Sequence, residues 1–321
     1  MFLNPASFKT TDARDDLSIR YANAQDKYAA LSIFPVHAVL KNVGKFYSYS
    51  KDNLRVRSLE APHGSEAQSS GYSVSSRNFS CIPHAHKSLV LNADARDFDR
   101  PIADLDNEAV MQNMDALLLE LEADMYTKVS TTANYPAALV STLVDSSTRW
   151  SDANGDPLED VRAIREAVFV ACGKRPNKMA LSGKGLETLK LNAAVVERVK
   201  HTGLAVTPQI LATLLELESI VVSDVIKNSA IEGAADSLAA VWGDEALVFY
   251  QDPGARLKSM TFGKCFMVSQ LGNVVIDAPE LGRKEGAHFL ESSWEYDLEF
   301  CATVSSSDGD AVAGGLIDNI F

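Results

Sequence analysis

Two short segments carry residue types that could do chemistry. The first, Ser182-Gly183-Lys184-Gly185, follows a predicted strand and opens a predicted helix, an arrangement in which backbone N–H groups can approach a nucleotide phosphate. The pattern continues as GxGxxT, lacks an acidic residue about 20 positions further on that would bind a ribose, and does not match a P-loop. We interpret it as a strand-to-helix turn capped by Ser182.

The second segment, CIPHAH, brings together Cys81, His84 and His86. Zinc prefers these ligand types, but a zinc site needs a fourth ligand and usually has two separated pairs, so we interpret the segment as the end of a strand. The acidic residues between positions 104 and 124 are spaced like a helix surface that faces solvent or a partner, and not like a carboxylate metal site. No HExxH or GxSxG pattern occurs. The sequence therefore predicts no catalytic, cofactor-binding or metal-binding residue.

Composition and charge narrow the possible functions. The chain has 321 residues, of which 46% are apolar and 23% charged, typical of a globular protein with two or three domains. The net charge of −13 argues against a tight nucleic-acid binder, which needs a cationic surface. Residues 1–100 carry +3 and the remainder −16, so the charge is distributed unevenly.

Cysteine spacing and hydropathy predict an intracellular protein. Cys81, Cys172, Cys265 and Cys301 are far apart and form no CxxC pair, so we expect reduced and mostly buried thiols. The N-terminus has no signal-peptide core, and no apolar run approaches the 18 residues of a membrane helix.

Residues 41–80 predict a long polar hairpin. Tyr47 and Tyr49 alternate with serines, SGYSVSSRNFSC provides a return strand, and the turn formers APHGSEAQSS lie between. The segment has six basic and three acidic residues, hence a charge of +3. A hairpin so poor in apolar residues is not stable alone, so it must lie on another surface.

Residues 102–129 predict one long helix. Its apolar stripe consists of Val110, Met114, Leu117, Leu121 and Met125 at steps of three or four. Seven acidic residues and one lysine between Pro101 and Ser130 give this element a charge of −6. About 26 helical residues at 1.5 Å each give a length of roughly 39 Å, which is long for a compact domain.

The remainder predicts an α+β fold. Residues 140–285 alternate helices and strands, with helix starts at Asp156-Pro157 and Thr207-Pro208 and a helix end at Gly173. From Trp294 to Val304 apolar and polar residues alternate, which predicts one long strand.

The order of these elements resembles the major capsid proteins of tailed bacteriophages, with the Hong Kong-97-like fold. GKFYSYSKDNLRVRS resembles the extended hairpin loop (E-loop) of that family, and DLDNEAVMQNMDALLLELEADMYTK resembles its spine helix. RWSDANGDPLEDVRAIREAV and VTPQILATLLELESIVVSDV resemble the axial domain, and YDLEFCATVSSSDGDAVAGGLI the closing strand and a short tail. The resemblance covers residues 31–321, except that residues 228–238 match nothing in the family.

The resemblance implies four parts: an N-terminal arm at 1–35, the extended hairpin loop at 36–85, a peripheral domain with the spine helix and long strands at 86–139 plus 286–321, and an axial α/β domain at 140–285. It also implies a structural protein of the virion without enzymatic activity or cofactor, assembled in the bacterial host cytoplasm. Copies would form pentamers and hexamers of an icosahedral shell, with possible scaffold, portal and decoration proteins as further partners. The shell would enclose DNA without sequence-specific binding, and no membrane would be involved.

Opposite charges suggest how copies meet. A basic hairpin could lie across the acidic helix or sheet of a neighbouring copy, and complementary potentials would fix the register. The predicted intersubunit contacts pair the bases of the hairpin with the acids of the helix; they are Lys51, Arg55, Arg57, Asp115, Glu120 and Glu122.

Three alternatives remain open at the level of sequence. An encapsulin-like nanocompartment shell shares the fold but packs cargo enzymes. An α/β enzyme would bind a nucleotide at the turn of Gly183 and Gly185. A scaffold-like or tail structural protein would form tubes or no closed shell.

Overall fold

A computed structural model describes most of the chain. The described residues are 23–49, 74–91, 102–200, 206–231, 233–252, 260–268, 273–277, 287–301, 303–305 and 309–321, with a few isolated positions between 56 and 69.

The described residues form a mixed α+β fold. The helices are α1 (Ala30–Ile33), α2 (Ile102–Ser130), α3 (Pro157–Cys172), α4 (Gly183–Leu191), α5 (Ala193–Val199) and α6 (Pro208–Leu214). The first eight strands are β1 (Val36–Val39), β2 (Val43–Tyr49), β3 (Val74–Ser80), β4 (Ile82–Leu91), β5 (Val140–Thr142), β6 (Lys178–Ser182), β7 (Ser219–Ser223) and β8 (Ile226–Asn228). The remaining strands are β9 (Leu238–Ala240), β10 (Ala246–Phe249), β11 (Gly263–Val268), β12 (Asn273–Asp277), β13 (Ala287–Phe300), β14 (Thr303–Ser305), β15 (Gly309–Ala311) and β16 (Gly314–Asp318).

Two five-stranded sheets organise the chain. In sheet 1, β13 pairs with β4 along one edge and with β11 and β12 along the other, all antiparallel, and β1 lies parallel to β11. Sheet 2 has the order β5-β16-β10-β6-β7. Three two-stranded ribbons, β2–β3, β8–β9 and β14–β15, complete the described strands.

The long helix α2 packs on sheet 1 against β4 and β13. Leu117, Leu121, Met125 and Val129 are at most 2% exposed, which confirms the predicted helix and the centre of its apolar stripe. Burial of a large aliphatic side chain contributes about 1.5–3 kcal/mol, so this stripe is sufficient to fix the helix on the sheet.

Aromatic rings join the two sheets. Phe262 lies 5.6 Å from Phe249 of sheet 2 and 5.1 Å from Phe300 of sheet 1, measured between ring centroids. Phe34, which follows α1, lies 5.6 Å from Phe262 and 5.8 Å from Phe300. A Cβ on Gly263 would lie 2.2 Å from the Phe34 ring, so glycine is required there for the close approach.

Helix ends follow the local signals in the sequence. Asp156 accepts hydrogen bonds from the N–H groups of Leu158 and Glu159, and α3 ends at Gly173 with φ 71°, in the left-handed region that favours glycine. Thr207 caps α6 in the same way through the N–H of Ile210. The predicted starts at Asp156-Pro157 and Thr207-Pro208 and the predicted stop at Gly173 are confirmed.

The strand pairing crosses the segment boundaries inferred from sequence. β11 and β12 fall within 140–285 but pair with β13 in sheet 1, whereas β16 falls within 286–321 but pairs in sheet 2. The paired strands are far apart in the sequence, so the hydrophobic periodicity within one segment does not predict which strands pair. Residues 29–34 of the inferred arm also lie in the core, where Ala29, Ile33 and Phe34 are fully buried.

The last part of the chain also differs from expectation. Trp294, Tyr296, Leu298 and Phe300 are buried, as the predicted alternation requires, but β13 runs from Ala287 to Phe300 and not from Trp294 to Val304. Residues 309–321 do not form an exposed tail, because Leu316 and Ile320 are fully buried.

Two further properties concern the described residues alone. None of their helices is both long enough and apolar enough to cross a bilayer. All four cysteines are free thiols, three of them buried and Cys301 partly buried.

Candidate functional site

The described part of the hairpin is a two-stranded ribbon that packs on sheet 1. β2 and β3 pair from Val43–Ser80 to Tyr49–Val74, which confirms two strands of the predicted hairpin. Phe46 and Phe79, on the inner face of the ribbon, are buried against Phe266 of sheet 1 with ring centroids 5.4 and 4.4 Å apart. These aromatic contacts anchor the base of the ribbon.

Two backbone hydrogen bonds reinforce the anchor. The Ser80 N–H donates to the Asp297 carboxylate at 2.7 Å, and the Cys81 N–H donates to the Asn42 carbonyl at 2.8 Å. Further out, the isolated described positions Val56, Glu60 and Glu66 are exposed. Lys51, Arg55 and Arg57, the predicted basic contacts, lie outside the described residues.

Glu122 lies inside the subunit and not on its surface. Its Oε2 accepts hydrogen bonds from the N–H groups of Ala29 (2.9 Å) and Ala30 (2.8 Å), and its Oε1 accepts one from the Ser223 hydroxyl (2.6 Å). The residue is fully buried. It therefore joins α1, α2 and β7 within one subunit, and the prediction that Glu122 contacts a neighbour is corrected, because no atom of it is exposed.

The ionisation of Glu122 is coupled to folding. Burial raises the pKa of its carboxyl group above the ordinary value of 4.5, although the hydrogen bonds from Ser223, Ala30 and Ala29 oppose the shift. Hence the charged carboxylate has a free-energy cost in the folded state that is only partly offset by its three donors.

Glu120 and Asp115 are the other predicted acidic contacts. The Glu120 carboxylate lies 3.0 Å from His84 Nδ1, and its side chain is 48% exposed, so it is accessible to a neighbour. The His84 ring stacks on Tyr296 at 4.3 Å. Asp115 is partly buried. Burial raises the pKa of Tyr28, and the charges of Asp115 and Glu122 raise it further.

Other charged groups of α2 also bond within the subunit. Asp124 accepts a hydrogen bond from the Tyr296 hydroxyl at 2.6 Å. Lys128 forms an ion pair with Glu299 at 2.9 Å and also bonds the Leu298 carbonyl. Asp124 and Lys128 thus help to fix the helix to β13.

The turn of Gly183 and Gly185 has a structural explanation. Ser182 Oγ accepts a hydrogen bond from the Gly185 N–H at 3.1 Å, which confirms the predicted cap. A Cβ on Gly183 would lie 2.8 Å from a carboxylate oxygen of Asp224. A carboxylate beside the turn opposes the binding of a phosphate there.

The Cys81, His84 and His86 segment is also engaged in packing. Cys81 Sγ lies 3.5 Å from the Phe266 carbonyl, and His86 Nδ1 lies 2.7 Å from Asn113 Oδ1. Burial raises the pKa of Cys81 to about 11. The three side chains are directed to different partners.

One other group of side chains has the spacing of a metal site. Asp244, Glu245 and Asp318 have carboxylate oxygens within 4.8 Å of one another, the one such group among the described residues. Tyr126 donates its hydroxyl hydrogen bond to Glu245, and burial raises the pKa of Glu245. No local sequence pattern indicates the group, because Asp318 lies on a distant strand.

Asn113 is a structural residue that the sequence analysis missed. It is fully buried, donates to the Leu290 carbonyl at 2.9 Å and accepts from the Ser88 hydroxyl at 2.5 Å, so it connects α2 to β4 and β13. A signal was present, since Asn113 is four residues before Leu117 on the buried stripe. Glu122 occupies a comparable position, four residues after Leu118.

Comparison with known proteins gives one related sequence with a named role. The chain is 24% identical over 276 residues to the major capsid protein of Burkholderia phage BcepMu, covering 82% of this chain and 84% of that protein. No family model matches the chain.

Solved structures share the fold over nearly the full length. A phage-related protein from Bordetella bronchiseptica matches with a TM-score of 0.70 and 24% identity over 93% of both chains. The capsid structure of cyanophage P-SCSP1u matches with a TM-score of 0.57 and 11% identity over 98% of this chain and 92% of that one. An encapsulin from Synechococcus elongatus matches with a TM-score of 0.52 and 9% identity over 95% and 92%. The predicted resemblance to phage capsid proteins is confirmed, and the chain shares the fold of these solved structures.

Phe79→Ala tests the anchor of the ribbon. Loss of the ring that stacks on Phe266 removes buried contacts, and Phe-to-Ala changes in cores cost about 3–5 kcal/mol. We expect amide hydrogen exchange in β2 and β3 to become faster while α3 and β6 stay protected. Leu40→Ala, at a side chain that is 89% exposed, is the control. Unchanged exchange in both variants would show that the anchor is elsewhere.

Glu122→Gln and Glu122→Ala test the buried carboxylate. The amide oxygen of Gln can still accept from Ala29 and Ala30, whereas Ala leaves buried donors unpaired at about 1–3 kcal/mol each. We therefore expect Glu122→Ala to be much the less stable variant in urea unfolding.

The difference in unfolding free energy between the wild type and Glu122→Gln should change with pH in a definite direction. Because the folded-state pKa of Glu122 is raised, its stabilising contribution is complete below 4.5 and is lost as the pH rises through the folded value. We expect the unfolding free energy of the wild type to fall relative to Glu122→Gln as the pH rises from 4.5. A constant difference across that range would contradict the assignment.

Proposed function

We propose that this chain is a major capsid protein, many copies of which assemble into the closed shell around the genome of a tailed phage. The observation that carries the proposal is the sequence similarity to a phage major capsid protein over 82% of the chain. The fold shared with phage capsid structures along nearly the whole chain supports it. The function would be structural, exerted in the virion after assembly in the host cytoplasm.

The parts of the subunit have proposed roles in this shell. α2 is the spine helix, sheet 1 the core of the peripheral domain and sheet 2 the core of the axial domain, which gathers around five- and six-fold axes as pentamers and hexamers. Residues 1–22, ahead of the buried Ala29 and Ala30, would reach a neighbouring copy. Scaffold, portal and decoration proteins would be further partners.

The hairpin supports this assembly by its chemistry. Its described base is fixed on Phe266, whereas residues 50–73 contain few apolar side chains, three basic and three acidic residues, and all three bases lie between positions 51 and 57. We place this group of bases on an acidic surface of a second copy. The exposed carboxylate of Glu120 belongs to such a surface, and Lys51, Arg55 and Arg57 supply the complementary charge.

Net charge bears on what the shell encloses. With −13 per copy, the shell would not bind DNA tightly, so small cations would neutralise most of the genome charge. Apolar burial spread over several interfaces, typically about 2,000 Å² or more in obligate assemblies, would supply most of the association energy.

An encapsulin-like compartment is the second candidate. The Synechococcus encapsulin shares the fold with a TM-score of 0.52, although at 9% identity. The contents of purified particles separate the two candidates, since a phage shell carries DNA and an encapsulin carries protein.

Electron microscopy tests the function directly. We expect the expressed protein, with a scaffold protein if one is required, to form closed icosahedral shells, whereas tubes or monomers at every concentration would contradict the proposal. A chain lacking residues 47–76 should remain folded and form no shells, because it retains Phe46 and Phe79 but loses the outer hairpin. Intact shells from this deletion in sedimentation would show that the outer hairpin has no role in assembly.

Charge reversal tests the electrostatic part separately. Replacing Lys51, Arg55 and Arg57 with Glu should slow assembly, because the hairpin would then repel an acidic surface. The effect should be measured at low salt, since attraction between exposed charges is screened beyond about 8 Å at physiological ionic strength. Light scattering measures the rate, and thermal unfolding of the subunit should change little. Equal rates for variant and wild type at low salt would reject the contact.

A further inference from the structure

The ribbon β8–β9 exposes apolar side chains to solvent. Ile226, Ile231 and Leu238 are 50%, 84% and 67% exposed. Three large aliphatic side chains within one short hairpin form a concentrated apolar surface, which in soluble proteins commonly marks an interaction site. No described part of the same subunit covers them.

This ribbon is nevertheless a well-defined element. Asn228 Oδ1 accepts hydrogen bonds from the N–H groups of Ala230 and Ser237, each at 3.0 Å, and closes the hairpin. The side chain of Asn23 both donates to the Ile226 carbonyl and accepts from its N–H. The base of the ribbon is buried at Val225 and Val241. Its aliphatic residues are therefore held outside the subunit by specific bonds.

Charge is segregated along the chain that forms sheet 2 and its helices. Residues 157–200, which form α3, β6, α4 and α5, contain nine basic and five acidic residues, a net charge of +4. Residues 206–252, which include the β8–β9 ribbon, contain one basic and eight acidic residues, a net charge of −7. Within the ribbon region 224–240 the charge is −2.

The basic segment presents an exposed surface of matching character. We call α3, α4 and α5, with the residues directly after α3 and α5, the helix layer. Its exposed bases include Lys174, Lys184, Arg198 and Lys200. It also exposes the aliphatic side chains of Val170 and Leu191 at 77% and 81%. The helix layer thus combines positive charge with apolar surface, the complement of the acidic, aliphatic ribbon.

From this complementarity we infer that the β8–β9 ribbon is a docking element that packs Ile226, Ile231 and Leu238 against the helix layer of a second copy. The contact is head-to-tail, since each copy carries both surfaces, and repeated contacts of this kind close into a ring when the rotation allows it. The inference rests on the proposed function and names the surfaces by which adjacent copies join within a pentamer or hexamer.

The apolar part is tested with Ile231→Ser and Leu238→Ser in the full-length protein. Each variant should raise the protein concentration for half-maximal assembly about tenfold, equivalent to about 1.4 kcal/mol per contact. Val144→Ser is the matched control, because that side chain is 80% exposed and lies outside both surfaces. Sedimentation velocity measures assembly, and circular dichroism melts verify that each subunit is folded.

The electrostatic part is tested with a charge swap. Asp236→Lys should weaken assembly at low salt, Arg198→Glu should do the same, and the double variant should recover part of the loss, because each copy then carries exchanged charges. Asp26→Lys, at an exposed acid outside the ribbon, is the control. High salt should remove the differences among these charge variants.

The outcomes separate this inference from the proposed function. Wild-type shells with weakened assembly of the ribbon variants support the contact. Wild-type shells with ribbon variants that assemble equally well overturn the contact and leave the proposed function intact. A wild type that forms no shells or rings under any condition overturns both.

Discussion

The hairpin has apolar side chains to bury at its base but few along the rest of its length, and the proposed assembly depends on this difference. Phe46 and Phe79 pack against Phe266 and fix the base of the ribbon. The sequence between Tyr49 and Val74 has few apolar residues that could pack on the same subunit. Ordering a residue costs about 1–2 kcal/mol of conformational entropy, and in the proposed assembly contacts with a second copy offset that cost. On this proposal, the chain reaches its most stable state in contact with other copies.

The long helix α2 has acidic side chains both inside the subunit and on its surface. Glu122 is directed inward, where it accepts hydrogen bonds from Ala29, Ala30 and Ser223 and so joins α1, α2 and β7. Glu120, two residues earlier on the helix, keeps an exposed carboxylate. In the proposed assembly, the acidic helix therefore serves two purposes: its inward acid joins three elements of the subunit, and its outward acid meets a basic neighbour.

Local signals in the sequence predicted local structure well. Helix ends depend on hydrogen bonds and backbone angles of residues close in sequence, as at Asp156, Gly173 and Thr207. The alternation of apolar and polar residues in β13 follows from the strand itself, because successive side chains point to opposite faces of the sheet. Non-local contacts could not be predicted in this way. Nothing near Leu316 indicates pairing with β10, and the burial of Glu122 requires partners about a hundred residues away on either side. The positions of Asn113 and Glu122 next to the apolar stripe of α2 indicate that they are buried, but they do not identify the residues to which they bond.

Amide hydrogen exchange of residues 50–73, compared between dissociated subunits and purified shells, tests the central claim most directly. If the outer hairpin is stabilised by a second copy, its amides exchange rapidly in the subunit and become strongly protected in the shell, while β2 and β3 near Phe266 are protected in both. Equal protection of residues 50–73 in the two states would contradict the account, because the hairpin would then be stabilised within its own subunit.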